Sequence, residues 1–160
     1  MKMQEYAEPD LYAVGERMPV ISPSFHLWGH TFSPKRVIEE TGVAFAKVNQ
    51  PGEINVAGPF QGRSLDYGPG YGAGIIRAPQ TISHNERLNW LLENVLAGYT
   101  RKFRKEYGIV EEVLYLTAHF AYKQPCCLML PNWLIRSIPT DVPVVITCIQ
   151  ENDPPDSFAA

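Results

Sequence analysis

From His84 to Tyr107, apolar side chains recur at the spacing of a single helical face: Leu88, Leu91, Leu92, Val95, Leu96, Tyr99 and Phe103. Ahead of them, Ser83-His84-Asn85-Glu86 has the form of a capping box, in which hydroxyl and carboxylate each satisfy a free backbone N–H. The far end is basic, with Arg101, Lys102, Arg104 and Lys105 set against the negative end of the helix dipole, and Gly108 stops the segment. This pattern predicts one long helix, about 36 Å at 1.5 Å per residue. An apolar stripe of that length needs a sheet to cover.

The sheet is legible in two-residue alternation. Between Glu111 and Tyr122, Leu114, Leu116, Ala118, Phe120 and Tyr122 fall on one face, and Val113, Tyr115, Thr117, His119 and Ala121 on the other. Phe25 to Phe32 is a second, aromatic-rich strand candidate, and Val142 to Ile149 a β-branched one. Short islands at Ile54-Asn55-Val56 and Ile75-Ile76 suggest two more strands around a glycine-rich loop. Ser33-Pro34 starts a short helix closed by Gly42, and Pro131 to Ile138 reads as another, stopped by Pro139. These elements predict an α+β class: a mostly antiparallel sheet covered by one long helix, with two short helices. Residues 1–20 read as an N-terminal extension, 21–150 as one domain and 151–160 as a frayed tail, although the unpatterned stretch itself runs from Met1 to Pro23.

At 160 residues the chain suffices for one core without disulfide or metal staples. Its net charge of -3 offers no basic field for nucleic acid phosphates. No apolar run of membrane-spanning length occurs, and the polar start MKMQEYAEPD lacks a secretory apolar region, so the expected setting is cytoplasmic. Three cysteines, Cys126, Cys127 and Cys148, make no disulfide framework, and the adjacent pair Cys126-Cys127 reads as ordinary buried thiols while Cys148 lies inside an apolar run.

Catalytic and metal motifs are weak. His26 and His30 are four apart, but on a strand that offset separates Cα atoms by about 13 Å, too far for one zinc. Gly68-Pro69-Gly70-Tyr71-Gly72-Ala73 imitates a dinucleotide fingerprint, yet a strand rather than a helix follows it. Glu39-Glu40 and Glu111-Glu112 read as solvated faces, and Ser64 beside Arg63 and Asp66 forms no nucleophile elbow. No catalytic residue, cofactor or metal ligand is assigned.

The loop from Gly58 to Gly72 is longer than a plain connector needs to be. It displays Phe60, Arg63, Asp66, Tyr67 and Tyr71, and tyrosine and arginine are enriched at binding hot spots. Those five are the candidate partner-binding residues. Trp90, off the main stripe of the long helix, is a second candidate contact.

Three stretches together resemble a bacterial family known as domain of unknown function 4279. They are Gly29 with Phe32-Ser33-Pro34 and the helix to Gly42, the Pro51-Gly52-Glu53 turn with its glycine-rich sequel, and the ending from Val113 to Gln150 with Leu130-Pro131-Asn132-Trp133-Leu134 inside it. The resemblance spans about residues 21–150. It implies a compact α+β fold with an antiparallel sheet and a crossing helix, and it carries over no catalytic residue.

Three functions fit these readings. The first is a small acidic protein-binding domain, for instance an immunity-type inhibitor of a toxin. The second is an enzyme with a site on the sheet face bearing Tyr115, Thr117 and His119. The third is a structural protein that forms a homo-oligomer through the Val142 to Ile149 edge.

Overall fold

Two ten-residue strands, β1 (Val20–Gly29) and β4 (Glu111–Phe120), form the centre of the sheet. The computed structural model, which describes residues 19–51, 72–124, 126, 128, 130 and 132–152, pairs them antiparallel with Phe25 opposite Leu114 and Ile21 opposite Ala118. β3 (Gly72–Ile76) pairs antiparallel with β1, and β2 (Lys47–Asn49) antiparallel with β3. β5 (Val144–Gln150) lies parallel to β4, reached by a crossover that includes a short helix. The order is β2-β3-β1-β4-β5, and three of its four pairings are antiparallel, as the sequence predicts.

Alternation separates the two faces. Phe25, Leu114 and Leu116 are fully buried on one of them. The helices α1 (Pro34–Thr41), α2 (Arg87–Asn94), α3 (Arg101–Glu106) and α4 (Asn132–Ser137) pack toward that side. Val37, Leu88, Leu91 and Leu134 join the same core cluster, with Phe103 packed against it. The opposite face carries Ser22, Ser24, His26, Trp28, Tyr115 and Thr117, all half-buried.

The first helix matches expectation in detail. The Ser33 hydroxyl accepts a hydrogen bond from the Arg36 amide at 3.3 Å. Pro34 occupies the first turn, and Gly42 closes the helix at φ 73 with its amide donating to the Ile38 carbonyl.

The single long helix does not form. A 3-10 turn at His84–Glu86 leads into α2, a second 3-10 turn covers Leu96–Gly98, Tyr99 is extended, and α3 begins afresh. Gly98 weakens any helix passing through it, and Thr100 caps a new one, its hydroxyl accepting from the Phe103 amide at 3.2 Å. The break lets Tyr99 meet the Phe25 ring edge-on at 5.0 Å and reach Glu112 with its hydroxyl. The capping-box residues also differ from expectation. The Ser83 hydroxyl donates to the Glu86 carboxylate at 2.8 Å, and neither side chain caps a backbone amide.

Three further expectations need correction, and a fourth lies outside the described residues. β1 starts at Val20, so the strand takes in residues read as part of the arm, and it ends at Gly29, leaving Phe32 to the core. A strand at Lys47–Asn49 also precedes the glycine-rich segment, and the expected island at Ile54 to Val56 lies outside the described residues. Glu112 is buried rather than solvated, because alternation puts it on the face of Leu114 and Leu116. Cys126 and Cys148 are exposed free thiols; Cys148 sits on β5, an edge strand whose seven residues are all exposed. No helix among the described residues is long and apolar enough to cross a membrane.

Candidate functional site

β3 accompanies β1 only from Phe25 to Gly29. Beside the earlier part of β1, where β3 has ended, the chain leaves a cleft of about 960 Å³. Ser22, Pro23 and Ser24 of β1 line it, together with Thr117 and His119 of β4. The segment after β3 contributes Arg77 to Gln80, the end of α1 and the loop after it contribute Thr41 to Ala46, and α2 contributes Arg87, Trp90 and Asn94. Pro23 suits this position, since a proline is tolerated where a strand has a neighbour on one side alone.

The cleft is electrostatically one-sided. Its lining holds two arginines and a histidine, and among the described residues that line it none is Asp or Glu. Arg77 is exposed and has no carboxylate partner among the described residues. Arg87 is half-buried, and its guanidinium donates to two backbone carbonyls, Ile82 at 3.2 Å and Gln80 at 3.3 Å. Those bonds fix the group without neutralising it. Arg87 also stands in the first turn of α2, the positive end of the helix dipole, where a cation is disfavoured. An anion in the cleft would relieve both conditions. Trp90, half-buried on the same wall, adds an apolar surface.

On the open face nearby, His26 Nε2 lies 3.0 Å from Ser24 Oγ, and its ring sits 4.5 Å from that of Tyr115. Burial, reinforced by the Arg77 charge, lowers the His26 pKa to about 4. Serine beside histidine is the start of a nucleophile pair, but such a base must accept a proton, and here both the surroundings and Arg77 oppose the imidazolium. Among the described residues no carboxylate is hydrogen-bonded to the ring to offset that cost. The pair therefore suits a neutral hydrogen-bonding role better than proton transfer.

A contrasting arrangement lies on the covered face. Glu112 accepts from Arg104 Nη1 at 3.0 Å and from the Tyr99 hydroxyl at 3.2 Å. Arg104 also donates to the carbonyls of Ile109 and Val110, tying α3 to the start of β4. Burial raises the Glu112 pKa and Arg104 opposes that rise; Tyr99 is raised by burial and by the Glu112 charge. Arg101 and Asp141 pair at the rim at 2.7 Å. Here the charges neutralise one another, and nothing is left over to bind a ligand.

Of the residues singled out by sequence, Phe60, Arg63, Asp66, Tyr67 and Tyr71 all lie outside the described residues, as do Ser64 and Cys127. Trp90 and His119 are brought into the cleft, with Thr117 beside them. His26 is on the open face, and His30 is exposed beyond the strand's end. Among the described residues no group of three His, Cys, Asp or Glu could hold a metal ion. Sequence reasoning missed Arg77 and Arg87. The misplaced charge of Arg87 at a helix start was the available signal. No family model, no curated protein and no solved structure matches the chain significantly.

Proposed function

We propose that this chain is a small bacterial protein-binding domain of the immunity type, working in the cytoplasm, which holds a segment of its partner in the cleft beside β1. The observation that carries this reading is the pair of arginines that, among the described residues, have no carboxylate partner and share a cleft lined by no acid, on a chain of net charge -3. Isolated positive charge on an acidic protein is a recognition feature more readily than a folding one. The cleft is large enough for a ligand-sized group, and Trp90 supplies the type of aromatic contact found at hot spots.

The test is partner capture from the native host, or from cells co-expressing a toxin encoded beside the chain, using the wild type and an Arg77→Glu, Arg87→Glu double variant. A partner retained by the wild type and lost by the folded double variant supports the proposal. Retention by both would contradict it. A second reading has its own observation: Val144, Val145, Ile146 and Ile149 leave β5 with an exposed apolar edge, which suits self-association. Sedimentation at micromolar concentration separates the two, because a monomer that still captures its partner removes the need for self-association.

A further inference from the structure

β5 stands last in the strand order, with β4 on one side of it. The Leu114 amide donates to the Pro143 carbonyl and the Glu151 amide to the Phe120 carbonyl, so odd-numbered residues along β5 turn their main-chain groups toward β4. Backbone groups alternate along a strand, and those of Val144, Ile146, Cys148 and Gln150 therefore point outward. This edge is accessible: all seven residues of β5 are exposed, with Val144, Val145, Ile146 and Ile149 between 37% and 46%. Edge strands are ordinarily guarded by a charge, a proline or a bulge. From Val144 to Gln150 there is no charged residue and no proline, and the register with β4 advances one residue at a time, without a bulge.

We propose that two copies of this chain join edge to edge through β5, antiparallel, about a two-fold axis at Thr147. The proposal rests on the self-association reading above and gives it a register. It leaves the cleft free, since no residue of β5 lines it. Identical strands related by a two-fold axis contact each other reciprocally. Hydrogen bonds across the axis come from outward-facing residues, so even-numbered residues must lie opposite even-numbered ones. An axis at Thr147 sets Val144 opposite Gln150 of the second copy and Ile146 opposite Cys148, which pairs all four outward residues. An axis at Ile146 would instead bring Glu151 toward Asp141, two like charges, and an axis at Cys148 would set Val144 opposite Asn152, past the end of the strand. The chosen register also places Val145 opposite Ile149 twice and Thr147 opposite itself. These β-branched pairs fall on the open face, in line with Tyr115, Thr117 and His119. A chain of net charge -3 meets no charge of its own along this edge. Joined in this way, two five-stranded sheets make one of ten strands, with the helices of both copies on the same side.

The test is sedimentation of the full chain at micromolar concentration beside Ile146→Lys, followed by disulfide trapping. Expected are a wild-type dimer and an Ile146→Lys monomer that unfolds at the wild-type urea midpoint, because the new charge stands on an exposed edge. Residues opposite each other in a non-hydrogen-bonded pair have Cα atoms about 4.5 Å apart, within reach of a disulfide. In a chain with Cys126, Cys127 and Cys148 replaced by serine, Thr147→Cys is therefore expected to form a covalent dimer on mild oxidation, whereas Val145→Cys, which faces Ile149, is not. The trapping arm does not depend on the Ile146→Lys chain being folded. A wild-type monomer overturns the self-association reading and this dimer with it. A dimer that survives in folded Ile146→Lys keeps self-association and overturns pairing through β5. Loss of the dimer in Ile146→Lys together with trapping at Val145→Cys rather than Thr147→Cys keeps the edge and overturns the register.

Discussion

Arg104 and Arg77 flank different faces of one sheet and have opposite relations to their surroundings. Arg104 has a buried carboxylate, Glu112, and two backbone carbonyls to hold, and its charge is absorbed in joining α3 to β4. Arg77 emerges from the end of β3 with no carboxylate among the described residues, beside a histidine whose protonation it opposes. One arginine therefore belongs to folding, and under the proposed function the other belongs to recognition. The faces differ likewise: the covered face is an apolar core in which Glu112 is the paired exception, whereas the open face carries half-buried serine, threonine, histidine and tyrosine side chains.

This contrast can be broken by substitution. Replacing Leu116 by alanine empties a fully buried position and is expected to lower stability by about 3–4 kcal/mol, measured by urea unfolding. Thr117→Ala, one residue along and facing the other way, is expected to lose less than about 1 kcal/mol. Equal losses at the two positions would mean that the open face is packed as tightly as the covered one. Between the two lies Arg104→Met, which strands Glu112 in the core and is expected to lose about 3 kcal/mol near pH 7.

The pH dependence sharpens the same division, because the two faces respond with opposite sign. The folded-state pKa of Glu112 is raised above its unfolded value. The folded chain then holds that proton more tightly, so this group adds stability as pH falls through the folded pKa toward the unfolded value of about 4.5. His26 is lowered from 6.5 to about 4. Its unfolded form binds the proton more tightly, so its contribution is complete above pH 6.5 and is lost as pH falls toward 4. In Arg104→Met the destabilisation should shrink on acidification as Glu112 takes up its proton. In His26→Asn the loss of stability between pH 6.5 and 4 should flatten. Unfolding free energies measured across that range in both variants check the two signs, and a steeper acid loss in His26→Asn would contradict the reading of the open face.

The sequence made the sheet readable because alternation is a local signal: Leu114, Leu116, Ala118 and Phe120 declare their face without knowledge of the fold. The same rule extended two residues back places Glu112 in the core, but a carboxylate reads as solvated until Arg104 and Tyr99 are seen around it. The long helix was over-read because its apolar stripe continues through Leu96, Tyr99 and Phe103 while Gly98 and the Thr100 cap interrupt the backbone beneath it. A periodic stripe reports which residues face the core, not whether one helix carries them. Of the site, Trp90, Thr117 and His119 were noticed individually. The cleft itself was not legible, since it arises from β3 ending before β1 does, and strand length across a pairing is a tertiary property.

The most direct test of the division sets Arg77→Glu beside Arg104→Met, measuring for each both unfolding free energy and partner capture. The account predicts a crossing: Arg77→Glu changes stability by less than about 0.5 kcal/mol and loses the partner, whereas Arg104→Met loses about 3 kcal/mol and, where still folded, retains it. An Arg77→Glu chain that is markedly destabilised, or that holds its partner as well as the wild type, would contradict it.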